Sequence, residues 1–385
     1  IFLQLRITKP NNQPLRWNPD AAQAVNQHDD DKVGPIQMIG KTFFKQVKLF
    51  LGSKLAYDSG DTYAYRAYIE TELNTNHEFK TTFLQVAGYE PDAPTDHVDD
   101  GDNEGLGRRC GWFKTENATS TVVEFMASLH VDLFHQEKYL INQIDTRLEL
   151  HRNSDTFALM CHGANPRFEI HVANMTWLVR KVDPADSVTL ALETALRRTT
   201  VKYPVRRIQI KMMQLEGGRR DTPTSTLFNG QIPRRMVVCL VDNDAFHGSY
   251  TKSPFNFKHY NASSIQITAG GVNHPPNPIV MDFNRKHITR PYVQMYEALG
   301  LAAVQKNNWL DLSDFSQGSA MYVFDLSPDS SDDSHWELLK EGSTTIRMTF
   351  SEPIPQAGVK LLALAEFDNL ITIDHFRNCY FDYTP

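Results

Sequence analysis

Asp145-Thr146-Arg147-Leu148-Glu149-Leu150 and Thr344-Thr345-Ile346-Arg347-Met348-Thr349 begin 199 positions apart, and both alternate side-chain character with a period of two. In the first, Ile144, Thr146, Leu148 and Leu150 alternate with Asp145, Arg147 and Glu149. In the second, Ile346, Met348 and Phe350 share one face. Alternate side chains of a strand point to opposite faces, so such runs place one face on a core and leave the other wetter, as in antiparallel sandwiches. Val47, Leu49 and Leu51 repeat the pattern before the turn at Gly52-Ser53. Phe168, Ile170 and Val172 repeat it again, as do Ile208, Ile210 and Met212.

Helical signals are few. Asp183-Pro184 opens a stretch through Val188, Leu190, Ala191, Ala195 and Leu196 that ends at Arg197-Arg198, with proline where a helix tolerates it. Arg66 to Leu73 and Tyr292 to Leu301 are two further candidates. Long polar loops are expected at Asn26 to Lys32, Tyr89 to Gly107 and Ser327 to Ser334. Many short strands, long loops and a few inserted helices predict an all-β protein built on the jelly roll.

The two hexapeptides belong to an ordered internal repeat. Arg66-Ala67-Tyr68-Ile69 answers to Arg290-Pro291-Tyr292-Val293, and Leu129 to Leu133 answers to Met321 to Asp325, both read as strands. Phe168 to Arg180 and Val359 to Ile373 then close each half as long apolar strands. Four matches in one order, at offsets near half the chain, predict duplication of one domain. The expected division is a first jelly roll over 1–183, a connector with a short helix over 184–198, and a second jelly roll over 199–385: two tandem antiparallel β-sandwiches.

The 385 residues are too many for one ordinary core, and 41% hydrophobic content suits a globular protein with much buried surface. A net charge of -7, spread along the chain, gives no reason to expect nucleic acid as a partner. No apolar run approaches the length of a membrane span. Ile1 to Thr8 reads as a strand and not as a signal peptide. Cys110, Cys161, Cys239 and Cys379 fit no C-x-x-C spacing, and their scarcity points to a reducing, intracellular setting without a disulfide framework.

Candidate chemical sites fail at their required spacing. Gly40-Lys41-Thr42 resembles the end of a phosphate loop, but five residues separate it from Gly34 where four are needed. Asp100, Asp102, Glu104 and Gly105 open like a calcium loop, yet its closing carboxylate position falls on Gly111. His247 and His259 flank one loop but have no zinc-like spacing, and no G-x-S-x-G elbow raises any serine. Arginine pairs at 197–198, 206–207, 219–220 and 234–235 lack the interleaved aromatics of a single-strand platform. No cofactor, metal or catalytic residue is expected. Val241 to Tyr260 is instead expected to be a structural turn. Asp242 and Asp244 would be its caps, and Phe246, Phe255, Phe257 and Tyr260 its aromatic anchors at a sandwich end or subunit boundary.

Residues 232–260, IPRRMVVCLVDNDAFHGSYTKSPFNFKHY, resemble the major capsid protein of Maverick/Polinton elements, DNA transposons related to virophages and adintoviruses. Further blocks follow the family's order: 33–55, VGPIQMIGKTFFKQVKLFLGSKL; 61–74, DTYAYRAYIETELN; 129–153, LHVDLFHQEKYLINQIDTRLELHRN. Beyond mid-chain come 201–213, VKYPVRRIQIKMM; 324–329, FDLSPD; and 364–383, LAEFDNLITIDHFRNCYFDY. The resemblance implies a double jelly roll and a homotrimer of pseudo-hexagonal outline in an icosahedral virion shell, with a single jelly-roll penton protein as partner and no active site. The alternative is a jelly-roll glycan-binding module, such as a capsid gene adopted by its host. That function needs exposed aromatics grouped with Asp or Asn, whereas Trp112, Trp177, Trp309 and Trp336 are scattered.

Overall fold

The computed structural model describes residues 1–15, 32–93, 97–113, 121–163, 167–223, 225–327 and 340–383. Most of two expected loops, at 26–31 and 328–334, lies outside these residues, as do Trp336 and the end of the 324–329 block.

The first half contains β1 (Phe2–Lys9), β2 (Gln13–Pro14), β3 (Val33–Pro35), β4 (Phe44–Leu51), β5 (Lys54–Asp58), β6 (Val123–Met126), β7 (Thr146–Arg152), β8 (Leu159–Cys161) and β9 (Glu169–Thr176). The second contains β10 (Val201–Leu215), β11 (Thr226–Gln231), β12 (Arg235–Asp242), β13 (Ala262–Ala269), β14 (Val272–Val280), β15 (Tyr322–Asp325), β16 (Glu341–Phe350), β17 (Val359–Ile373) and β18 (Cys379–Phe381). Inserted helices are α1 (Ile39–Thr42), α2 (Tyr63–Asn74), α3 (His77–Thr81), α4 (Glu104–Trp112), α5 (Asp155–Ala158), α6 (Asp186–Leu196), α7 (Asn243–His247), α8 (Thr289–Ala298) and α9 (Leu312–Ser316).

The second half shows the sandwich most plainly. One sheet runs β10-β17-β12-β15 and the other β11-β16-β13-β14. Apart from the β13–β14 hairpin, strands from β10 to β17 that follow one another in the chain alternate between sheets, the antiparallel winding of a jelly roll. β10 and β17 pair along their whole length, from Val201 opposite Ile373 to Leu215 opposite Val359. β12 is buried from Arg235 to Val241, which is why MVVCLV reads as continuous apolar sequence and not as alternation. β16 keeps the alternation, with Thr344, Ile346, Met348 and Phe350 inside. Gly270 and Gly271, both at positive φ, form the two-residue hairpin between β13 and β14, where a right-twisted ribbon requires that backbone.

The first half repeats this plan in broken form. Its β5-β4-β7 sheet matches β14-β13-β16: a hairpin, then a helix (α2 or α8), then a later strand returning to the hairpin's first member. Thr146–Arg152 and Glu341–Phe350, the strands that hold the two hexapeptides, thus occupy the same place. The other sheet departs from the plan. β1 is central between β9 and β6, while β3 and β8 form a separate pair. Leu129 to Leu133 is not a strand, since Asp132–His135 winds into a 3-10 turn. Asp132 points inward to an arginine, and that buried ion pair overrides the local alternation. Nor is Tyr89 to Gly107 loop throughout, because Asn103 caps α4 by accepting the Leu106 N–H at 3.1 Å.

One connected cluster of buried apolar side chains includes members of both halves, from Leu3 to Cys379. The halves are therefore packed on each other as well as chained together.

Candidate functional site: the joint between the halves

Residues 241–260 leave the end of β12 and reach across to the first half. The Asp242 carboxylate accepts the Asp244 N–H at 2.9 Å and caps α7. Lys252 closes the turn by donating to Asp242 and Asp244, each at 2.9 Å. Asp244 thus bonds a lysine, where the sequence reading had it cap a backbone N–H.

Beyond α7 the chain presses onto α5. Gly248 has φ 101°, and a Cβ there would lie 2.8 Å from Thr156 Oγ1 and 2.9 Å from the Phe157 nitrogen, so the approach requires glycine. Tyr250 then bonds the end of β8 and the residue before β9. Its carbonyl accepts the Cys161 N–H at 2.7 Å, and its hydroxyl donates to the Phe168 carbonyl at 2.9 Å.

The aromatic anchors meet α2. Tyr65 and Tyr68, three residues apart, share one helix face. Phe255 stacks on Tyr68 with ring centroids 4.2 Å apart and planes 4° from parallel. Phe246 stacks on Tyr65 at 5.4 Å and 8°, and Tyr65 also meets Phe255 edge-on at 5.8 Å. Phe257 is fully buried; its N–H donates to the Gly318 carbonyl at 2.7 Å and its carbonyl accepts the Ala320 N–H at 2.9 Å. Tyr260 stands apart from this cluster. It holds positive φ, burial pushes its phenol pKa up, and its hydroxyl has no partner among the described residues.

Sequence reading missed the other side of the joint. Asp99, in the loop to which no role had been given, accepts the Ser253 N–H at 2.8 Å, the Asn256 amide at 2.6 Å and the Lys258 ammonium at 2.8 Å. The available signal was the tyrosine spacing in DTYAYRAYIETELN; for Asp99 there was none, because the contact is long-range.

A second face of α2 carries charge. Arg66 Nη2 lies 2.7 Å from Asp132 Oδ1, whose oxygen also accepts the Ile208 N–H of β10 at 3.3 Å. Glu70 Oε2 takes Arg66 Nε at 3.2 Å and His130 Nδ1 at 2.5 Å. Lys41 Nζ lies 3.3 Å from His130 Nε2 and donates to Thr71 Oγ1 at 3.0 Å. These partners fix the imidazole as neutral, with Nδ1–H donating to Glu70 and Nε2 accepting from Lys41. Burial, and the Lys41 charge beside it, hold the His130 pKa down at about 4, and burial lowers Lys41 to about 8. Lys41 of the would-be phosphate loop is therefore buried on α1 and already partnered. Nearby, the Lys80 ammonium bonds the Glu72 carboxylate and donates to the Asn308 carbonyl, 2.8 Å away in the second half.

Among the described residues one group has metal-like spacing: His97, Asp100 and Asp102, with ligand atoms within 4.8 Å of one another. His97 Nδ1 already sits 3.0 Å from Asp102, both acids are exposed, and Glu104 has joined α4. His259 stacks on Phe283 at 3.9 Å, and His247 meets the edge of Phe246. The four cysteines are buried.

Two tandem sandwiches locked by such a joint define the double jelly roll, the fold that the resemblance to Maverick-type major capsid proteins implied. The chain superposes on a chain of the Sputnik virophage with a TM-score of 0.59 at 10% identity, covering 99% of this chain and 81% of that one. On the mavirus major capsid protein the TM-score is 0.51 at 10% identity, covering 100% and 84%. PBCV-1 VP54, fitted into a reconstruction of Sputnik, gives 0.53 at 8% identity, covering 100% and 89%. At these identities the likeness is one of fold. By sequence, the chain belongs to the family of "Uncharacterized protein F54H12.2" of Caenorhabditis elegans, with which it is 31% identical over 351 residues, 89% of this chain and 80% of that protein. No protein-family model matches.

Proposed function

We propose that the chain is the major capsid protein of a Maverick/Polinton-type element. Three copies form a capsomer of pseudo-hexagonal outline, and a single jelly-roll penton protein closes the vertices of the shell. The observation that supports this reading most is the duplicated sandwich with a locked joint. A trimer of two-sandwich subunits presents six similar walls and fills a hexagonal lattice site, but only if each subunit holds its sandwiches at a fixed angle. The joint of Phe255 on Tyr68, Asp99 on residues 253–258 and Lys80 on Asn308 supplies that rigidity. A relative in a nematode suits a capsid gene carried in an animal genome.

On this reading the units are 1–183, 184–198 and 199–385, and Asp242, Asp244, Phe246, Phe255, Phe257 and Tyr260 act in folding and assembly. The protein works in the virion shell, is made inside the cell, and performs no catalysis. Negative-stain electron microscopy of the purified chain tests the proposal. Plates of hexagonal outline, alone or in sheets and shells, are expected; dispersed two-lobed monomers at high concentration contradict it.

A further inference from the structure

The end of the first half exposes apolar surface that the protomer does not cover. Past β9, residues 177–185 run without a turn or bend to α6. Val188, Ala191, Leu192, Ala195 and Leu196 make a stripe at i, i+3, i+4, i+7 and i+8 on that helix, and only Leu196 is buried. Eleven residues are too few for a helix to be stable on its own in water, and an apolar stripe of this spacing is a packing face. Leu196 and an ion pair between Glu193 and Arg377 hold the helix to its own copy.

At the start of the same segment lies a groove of about 870 Å³. Its walls include Leu133, Phe134, Tyr139, Leu140, Ile144 and Trp177, and Tyr139 is 64% exposed. The groove's charged walls are mainly basic, with Lys138, Arg180 and Lys181 against one acid, Asp145. The approach to α6 is acidic, with Asp183 and Asp186. Arg180, Lys181, Asp183 and Asp186 form no ion pair among the described residues.

We infer that α6 of one copy seats its Val188–Leu192 stripe in the groove of a neighbouring copy, the acids at its start meeting that neighbour's basic rim. In the protomer the groove is not filled by its own helix: no residue of α6 is among its walls, and Val188, Ala191 and Leu192 are exposed. The contact is head-to-tail, because the donor surface differs from the acceptor surface; with a rotation of one third of a turn between copies it closes a ring of three in which each copy gives one helix and receives one. The inference rests on the trimeric reading above and adds the surface that makes the trimer.

Cross-linking tests it, because all four native cysteines are buried and an introduced thiol reacts first. Copies with Leu192→Cys and copies with Tyr139→Cys, distinguished by mass, are co-expressed and treated with a short bis-maleimide. A covalent heterodimer that neither variant gives alone is expected. The Leu192→Asp variant should lower the trimer fraction tenfold or more while the monomer's melting temperature stays unchanged, since the side chain is exposed in the protomer. If wild type is trimeric but no heterodimer forms and Leu192→Asp still assembles, the docking is wrong and the capsomer reading stands. An intrachain product in the Leu192→Cys/Tyr139→Cys double variant overturns it equally. A wild type that is monomeric removes both.

Discussion

Replacing Phe255 by alanine removes the centre of the joint. The ring is 4% exposed, stacks on Tyr68 at 4.2 Å, and meets Tyr65 and Phe157 edge-on at 5.8 and 6.2 Å. A fully buried Phe→Ala change costs about 3–5 kcal/mol through lost transfer energy and the cavity left behind. Within that, each well-placed aromatic pair is worth roughly 0.5–1.5 kcal/mol. The upper half of the range applies, because the neighbours Tyr65, Tyr68 and Phe157 belong to α2 and α5, whose backbones are fixed by their own half and relax little. Phe246 is only half-buried, so Phe246→Ala should cost about half as much. Equilibrium urea unfolding measures both. At a slope of about 3 kcal/mol per M, Phe255→Ala should lower the midpoint by roughly 1.5 M. It should also separate the unfolding of the two halves into distinct steps, since the shared core between them is opened. A Phe255→Ala change below about 0.5 kcal/mol, with one cooperative transition retained, would refute the claim that this ring locks the sandwiches.

Asp99→Ala should cost about 1–3 kcal/mol by leaving the Ser253 N–H and Asn256 amide unpaired, while Asp99→Asn recovers part; thermal melts of the two variants decide. Glu72→Gln alone strands the buried Lys80 ammonium and should cost about 3–5 kcal/mol. The Glu72→Gln/Lys80→Met pair should lie closer to wild type, and a double-mutant cycle showing simple additivity contradicts the pairing. His130 binds its proton at about pH 4 in the folded chain and at about 6.5 when unfolded. The unfolded state therefore holds more protons in that window, so stability present above pH 6.5 is lost as pH falls toward 4. The loss is about 3 kcal/mol in all. His130→Gln should flatten this part of the profile, and a profile identical to wild type sinks the assignment.

Legibility in the sequence followed locality. Strands with one wet face, such as Glu341–Phe350, announced themselves by alternation, and α2, α6 and α8 by periodicity within a few residues of their ends. The repeat was readable because a hairpin, a helix and a returning strand recur in order. Leu129 to Leu133 misled because its alternation serves a buried ion pair, Asp132 with Arg66, and not a sheet. α4 hid in an acidic stretch whose only helix signal was the Asn103 cap. The aromatic anchors of the joint were visible as Phe246, Phe255 and Phe257 in a polar turn. Their partners were not, since Tyr65, Tyr68 and Asp99 lie more than 150 positions upstream of the residues they hold.

The native mass of the purified chain, measured by light scattering across a concentration series, tests the capsomer most directly. Three copies of a 43.9 kDa chain should give a stable species of about 130 kDa that persists on dilution. A single species at the mass of one chain throughout the series would contradict the account.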